Sequence, residues 1–520
     1  MGSSCVSART ATARCLGNHM HSSMQSGVDC IATGCSPTTV RGSRKRHRSR
    51  HGPTQQPKGA RARREDAALV QRTLRVGFTL PGRTFEMSQT TNPNGSGSAA
   101  ATIELRTEYR ALPEHGGTFR LLVRVVAPDV RDPQRQRPPL DLAFIVDRSG
   151  SMAGGGLEMA KRGVEHALQL LDERDTVSLT LFDDVVEMPT PQRAFSTGTR
   201  RGVARRLAAY QPRGSTNLTE GWLLGCAQLA PIADGVSPLI RRPGKPVCRA
   251  LLLTDGMANV GITDPHEITR HAAELQRRGI TTTTFGVGEH FDEELLGRMA
   301  DAGGGRYHYI ARTSDIPRVF AGELGELLSM ALRDVTLSLR TPSTWQVQLI
   351  NDIPHSRQEH TVEVTLGEMS SNEERLLIWD IELPPLARGS WERLEANIRW
   401  RDVSGAVEQQ ASASLNLQAQ SDPGPGDDHV LDIAAEIYAA RARSDALRHN
   451  RAGNYSAARG ALEKYLQSAP QSPAGLAMAR ELLDEIPVYS RIQAPDEMKQ
   501  RHFSNRRTAR QQRDHTSDPA

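Results

Sequence analysis

"AFIVDRSGSMAGG", residues 143–155, decides the fold. Four apolar residues run into Asp147, and Ser149 and Ser151 follow at alternate positions before a glycine-rich turn. With the preceding "LDL", the stretch reads as a strand buried on both faces, the signature of a parallel sheet. A helix over about 157–173 follows, with Leu157, Ala160, Val164, Ala167, Leu168 and Leu171 on one face, as sheet packing requires. The strand therefore delivers a carboxylate and two hydroxyls to its carboxyl end, where open α/β sheets bind ligands. No base lies beside the serines, and hard oxygen donors suit Mg2+.

Outward from this stretch, apolar runs alternate with helical ones: "TVSLTLF" (176–182), "RALLLT" (249–254), "TTTTFGV" (281–287) and "RYHYI" (306–310), with helices near 200–210, 218–230, 266–278, 291–301 and 314–331. Such alternation predicts an open, mostly parallel sheet flanked by helices. Two more segments supply oxygens at equivalent places. "RGSTNLTEG" (213–221) sets Thr216 in a loop at a helix start, and "LLLTDGMANVG" (251–261) ends a strand on Asp255.

Asp-x-Ser-x-Ser, a loop threonine and a later aspartate, in this order and on this alternation, resemble the von Willebrand factor type A (VWA) domain with its metal-ion-dependent adhesion site (MIDAS). The resemblance covers roughly 138–331 and is of the bacterial, multidomain type. It implies a Rossmann-like fold and a metal site of Asp147, Ser149, Ser151, Thr216 and Asp255. It also implies bound Mg2+, with Mn2+ and Ca2+ as alternatives, completed by an Asp or Glu of a protein partner. Some members of the family instead serve beside ring-shaped ATPases in chelatase or remodelling complexes; this sequence carries no ATPase motif, so such a partner would act in trans. The family also couples ligation to movement of its last helix, here about 314–331.

Enzyme classes fare poorly against the same residues. Ser149 lacks the GxSxG elbow of serine hydrolases, and "GSMAGGG" lacks the Lys-Ser/Thr of a phosphate loop. A phosphotransfer enzyme of the haloacid dehalogenase type would need a second carboxylate where Ser149 stands; "FDD" (182–184), its other candidate acids, reads more simply as a strand end with a solvated turn. The expectation is a binding protein and not an enzyme. His266 and His271 read as surface residues, His308 as structural, and the Arg-rich stretch at 200–210 as a solvated helix face.

Strand patterns flank the α/β segment. "TIELRTEYRAL" and "FRLLVRVVAP" precede it within 101–137, and alternating segments fill 332–420, so the α/β domain is expected inserted in or next to a β-sandwich. Trp345, Trp379, Trp391 and Trp400 fall there and read as core or edge packing. Residues 427–488 read as a helical hairpin, about 429–451 and 454–468, with a third helix near 472–486; "AGNYSAARGALEKYL" there resembles a single tetratricopeptide unit, and 489–520 reads as a loose basic tail.

Charge is unevenly divided. The chain of 520 residues has net charge +5, but residues 1–86 hold 15 Lys+Arg against 4 Asp+Glu, leaving the remainder at −6. Residues 1–100 therefore read as a disordered basic leader and linker. Three readings stay open for it: a nucleic-acid or localisation tail, a solvated tail, or a start placed upstream of a natural Met87. Nucleic acid is not expected elsewhere. Cysteines without CxxC or metal spacing, and the lack of a signal-peptide or membrane-span pattern, predict a reduced cytoplasmic protein.

Overall fold

The computed structural model describes residues 100–130, 137–237, 246–403 and 407–511. The expected leader and the alternative start at Met87 lie outside the described residues. The described residues begin with β1 (Thr102–Thr107), the two-residue β2 (Leu112–Pro113) and β3 (Gly117–Val126). It then enters the α/β unit: β4 (Leu140–Asp147), α1 (Gly156–Gln169), β5 (Thr176–Phe182), β6 (Val186–Ala194), α2 (Thr197–Ala208), α3 (Leu218–Ala233), β7 (Val247–Thr254), α4 (Pro265–Arg277), β8 (Ile280–Val287), α5 (Glu293–Ala302), β9 (Gly304–Ile310) and α6 (Ile316–Leu328).

These six strands form one sheet in the order β6-β5-β4-β7-β8-β9. All pair in parallel except β6, which returns antiparallel along β5 as an edge hairpin. The sequence reading lacked this strand, because "VEMPTPQRA" has two prolines and no apolar alternation, features tolerated on an edge. Every residue of β4, β5 and β7 is buried, since helices cover both faces. Leu157, Val164 and Leu168 of α1 pack with Phe320 and Leu324 of α6 on one face. Trp222 and Leu229 of α3, Ile268 of α4 and Leu296 of α5 pack on the other. Close approach of α3 depends on glycine: a Cβ on Gly221 would lie 2.6 Å from Phe182, and one on Gly225 would lie 2.4 Å from Ile145.

The sandwich follows as β10 (Met330–Arg340), β11 (Gln346–Leu349), β12 (His355–Gln358), β13 (Thr361–Ser370), β14 (Glu374–Leu383), β15 (Trp391–Arg401) and β16 (Glu408–Gln420). Its two sheets run β1-β3-β14-β11 and β12-β13-β10-β15-β16-β2. Strands from before and after the α/β unit thus share one core, and that unit is inserted between β3 and β10. Only Ser329 separates α6 from β10. Trp345, Trp379 and Trp400 are buried, whereas Trp391 is exposed at the start of β15.

Four helices follow among the described residues: α7 (Asp428–Arg451), α8 (Tyr455–Ser468), α9 (Pro473–Tyr489) and α10 (Pro495–Ala509). Val430, Ile433, Ala434 and Ile437 of α7 cover Leu122, Ile350, Leu376 and Ile378 on the outer face of the four-stranded sheet. Two expectations are corrected here. The helical region, with the expected third helix present as α9, exceeds a hairpin, and the supposed loose tail contains α10. Its basic residues find acids some 200 positions earlier, a pairing that local composition does not reveal. Lys499 Nζ donates to the Phe291 carbonyl (2.6 Å) and pairs with Glu293, while Arg506 and Arg510 both pair with Asp301. Phe503 packs edge-on against Tyr307 of β9.

Candidate functional site

β4 lies at the centre of the sheet, with β5 and β7 on either side, so the chain leaves its carboxyl end at the switch point where strand order reverses. Asp147 is the last residue of β4 and is fully buried. Its Oδ1 accepts the Ser149 backbone N–H (2.7 Å), and its Oδ2 accepts the Thr254 hydroxyl (2.5 Å). The turn this creates sets the Ser149 and Ser151 hydroxyls 3.0 Å apart. Ser151 then donates to Asp255 Oδ1 (2.6 Å), across the sheet from the end of β7. The structure therefore joins Asp147, Ser149, Ser151 and Asp255 in one hydrogen-bonded chain.

Thr216 enters from a third loop. Its hydroxyl stands against Gly256, whose place could not take a side chain: a Cβ there would lie 2.8 Å from Thr216 Oγ1. Backbone hydrogen bonds stitch the loops into one surface. Gly150 N–H donates to the Gly214 carbonyl (3.0 Å), Arg213 N–H to that of Arg148 (2.9 Å), Asn217 N–H to that of Asp183 (2.8 Å), and Asn259 N–H to that of Thr216 (3.1 Å). Position of the donors is thus set by main chain, which favours a pre-formed site.

The electrostatics of this end are unusual. Among the described residues no Lys or Arg pairs with Asp147 or Asp255, and the hydrogen bonds they receive come from hydroxyls and main-chain N–H groups. Burial raises the Asp147 carboxyl to about 7 despite hydrogen bonds from Thr254 and Ser149. Burial raises that of Asp255 too, against the Ser151 hydrogen bond and the nearby His290. A buried carboxylate without a cationic partner is costly. Two carboxylates with three hydroxyls are a donor set that fits a hard divalent cation of the Mg2+ class, and such a cation would supply the missing positive charge.

Beside the donors lies a network that the sequence reading missed. Arg148 pairs with Asp183 (2.9 Å) and Glu187 (2.5 Å), and its guanidinium lies 4.8 Å from the Tyr210 ring centre. Tyr210 donates to Glu187 (3.0 Å), and Arg213 also pairs with Asp183 (2.7 Å). Asp183 was expected in a solvated turn but is fully buried, because two arginines from the donor loops converge on it. Its position immediately after the apolar strand "TVSLTLF" was the available signal. Thr254 and Gly256 were missed as well; they flank Asp255 and fix its turn, with Gly256 N–H donating to Thr254 Oγ1 (3.1 Å). Two histidines singled out in the sequence lie elsewhere: His266 is exposed on α4, and His308 of β9 bonds Glu323 of α6 (3.0 Å).

Comparison with known proteins bears on the fold that carries these residues. The profile of the von Willebrand factor type A domain matches residues 141–321. Uncharacterized protein YfbK of Escherichia coli is 25% identical over 299 residues, 55% of this chain and 49% of that protein. Uncharacterized protein sll0103 of Synechocystis is 25% identical over 59% of this chain and 70% of its own length, and human inter-alpha-trypsin inhibitor heavy chain H3 is 27% identical over 38% and 22%. The chain thus spans about half the length of the Escherichia coli relative. Among solved structures, a von Willebrand factor type A protein from Catenulispora acidiphila superposes with a TM-score of 0.60 at 16% identity, covering 80% of this chain and 98% of its own, a likeness of fold.

Proposed function

Residues 141–321 being a von Willebrand factor type A domain, a class that mediates protein–protein contacts, we propose that this protein is a cation-dependent binding protein and not an enzyme. Ser149, Ser151 and Thr216 would hold a divalent cation through their hydroxyls, with Asp147 and Asp255 acting through those hydroxyls and through water. Such a cation would supply a Lewis-acidic position for an Asp or Glu side chain of a protein partner. The observation that carries the reading is the convergence of three hydroxyls and two under-compensated carboxylates at one end of the sheet.

The chain's own residues support this chemistry in two ways. Ser151 is exposed, so the donor cluster opens to solvent, whereas Asp147 and Thr216 are buried and hold it from below. Arg148 and Arg213 lie close by, but both are committed to Asp183 and Glu187, so neither is free to take the place of a cation.

Affinity capture on the full chain tests the reading, run in Mg2+, in EDTA and with Asp147→Ala. A protein retained by the wild type in Mg2+ and absent from the other two supports it. Identical profiles in all three would overturn it, and turnover of a generic phosphoester lost in Asp147→Asn would replace it with an enzyme.

A further inference from the structure

The loops around the donor cluster bear on the choice of ligand in two respects. Two large apolar side chains, Val185 (47% exposed) and Met257 (51%), stand exposed on two loops of this end. Both loops are hydrogen-bonded to the loop that carries Thr216. Val185 is held two residues from Asp183, whose carbonyl accepts Asn217 N–H, and its own carbonyl accepts from Arg148. Met257 follows Gly256 directly, and Asn259, two residues on, donates to the Thr216 carbonyl. Gly154 and Gly155 lie beyond Ser151, and a Cβ on either would meet nothing within 4 Å, so a ligand backbone can approach there unobstructed.

Charge is the second respect. Within residues 148–155, 183–185, 211–217, 255–263 and 288–292 the basic side chains besides His290 are Arg148 and Arg213. Both are neutralised by Asp183 and Glu187, although Arg213 is half exposed. Asp184 and Glu289 remain exposed on the same loops, and Glu220 is exposed on the first turn of α3. The rim is therefore acidic outside the donor cluster itself. A run of acidic residues in a partner would be repelled on either side of the one carboxylate the cation accepts.

We infer that the site selects a partner segment in which a single Asp or Glu is flanked within two residues by bulky apolar side chains, with Val185 and Met257 as the residues that set this preference. The inference rests on the cation-dependent reading above. Apolar flanks bury against the two exposed side chains, while the acidic rim excludes polyacidic competitors.

A phage-displayed nonapeptide library with Glu fixed at its centre tests it, selected on the full chain in Mg2+ and in EDTA. The same selection is run on the Val185→Ser/Met257→Ser variant and on Asp147→Ala. In Mg2+ the wild type is expected to enrich Leu, Ile, Phe or Met beside the Glu and to deplete Asp and Glu there. The double variant is expected to bind the best peptide at least tenfold more weakly while keeping Mg2+ dependence, and an unchanged melting temperature shows that it folds. Acidic flanks, no flank preference, or a preference that survives the double substitution would overturn the inference while Mg2+-dependent, Asp147-dependent binding upholds the cation reading. Absence of any Mg2+-dependent peptide on the wild type would overturn both.

Discussion

Two buried acidic groups in the α/β unit meet opposite fates. At the carboxyl end of the sheet, Asp147 is held by hydroxyl and main-chain N–H groups, and burial lifts its carboxyl to about 7. Toward the sandwich, Glu323 of α6 is equally buried, but it accepts from Thr283 (2.7 Å) and bonds His308 (3.0 Å), with Arg249 and Arg306 nearby. Burial would raise Glu323 as well, yet the His308 hydrogen bond and these cationic charges overcome it and hold the carboxyl far below its usual range. Arg249 in turn pairs with Glu368 of β13, and Arg306 with Glu373 (3.4 Å), so this end is a charge-satisfied joint between α/β unit and sandwich. The protein balances its own charge where it is structural and leaves it under-balanced where the donors face solvent.

Breaking the balanced end is expected to have the largest effect on folding. Glu323→Ala removes the buried carboxylate that His308 and Thr283 bond and that lies near Arg249 and Arg306, and should cost about 3 to 5 kcal/mol, read as a lowered urea midpoint. At the other end, Asp147→Asn should stay within about 1 kcal/mol of wild type in EDTA, since it removes a buried charge that nothing pairs; loss of cation binding is its expected consequence, measured by titration calorimetry with Mg2+ or Mn2+. Gly256→Ala would push on the Thr216 hydroxyl and should weaken cation affinity about tenfold, or about 1.4 kcal/mol, with little change in melting temperature.

Acid sharpens the contrast by a smaller amount. The folded pKa of Glu323 lies below its unfolded value, so its contribution to stability is fully present above about pH 4.3 and is lost as pH falls below that. The urea midpoint of the wild type should therefore drop more steeply below that pH than the midpoint of Glu323→Gln. His308 on β9, Arg306 on β9, Arg249 on β7 and Thr283 on β8 are the groups that face this carboxyl. A parallel pH slope in the two proteins would show that the joint does not draw on this charge.

Much of the fold was legible because its signals are local. Strand β4 announces itself as an apolar run ending at Asp147, and Ser149 and Ser151 sit within four residues of it, so strand, turn and donors appear in one short segment. Thr216 and Asp255 were readable for the same reason, each at a strand end or helix start. What stayed hidden depends on distance. Asp183 looks like a surface turn until Arg148 and Arg213 close over it, and the tail looks loose until Lys499 and Arg506 reach Glu293 and Asp301. Edge strand β6 escaped because its prolines and polar residues suppress the alternation that marks interior strands. Trp391 shows the converse: its residue type suggests packing, but its place at the first position of β15 leaves it exposed.

Thermal unfolding of wild type, Asp147→Ala and Glu323→Ala across a Mg2+ titration tests the central claim most directly. A ligand that binds only the folded state stabilises it by about 2.7 kcal/mol at one hundred times its dissociation constant. The account predicts that the wild type rises in melting temperature with Mg2+, that Glu323→Ala rises by a similar amount from a lower start, and that Asp147→Ala does not respond. A wild type indifferent to Mg2+ and Mn2+ alike, or an Asp147→Ala protein that responds as the wild type does, would contradict it.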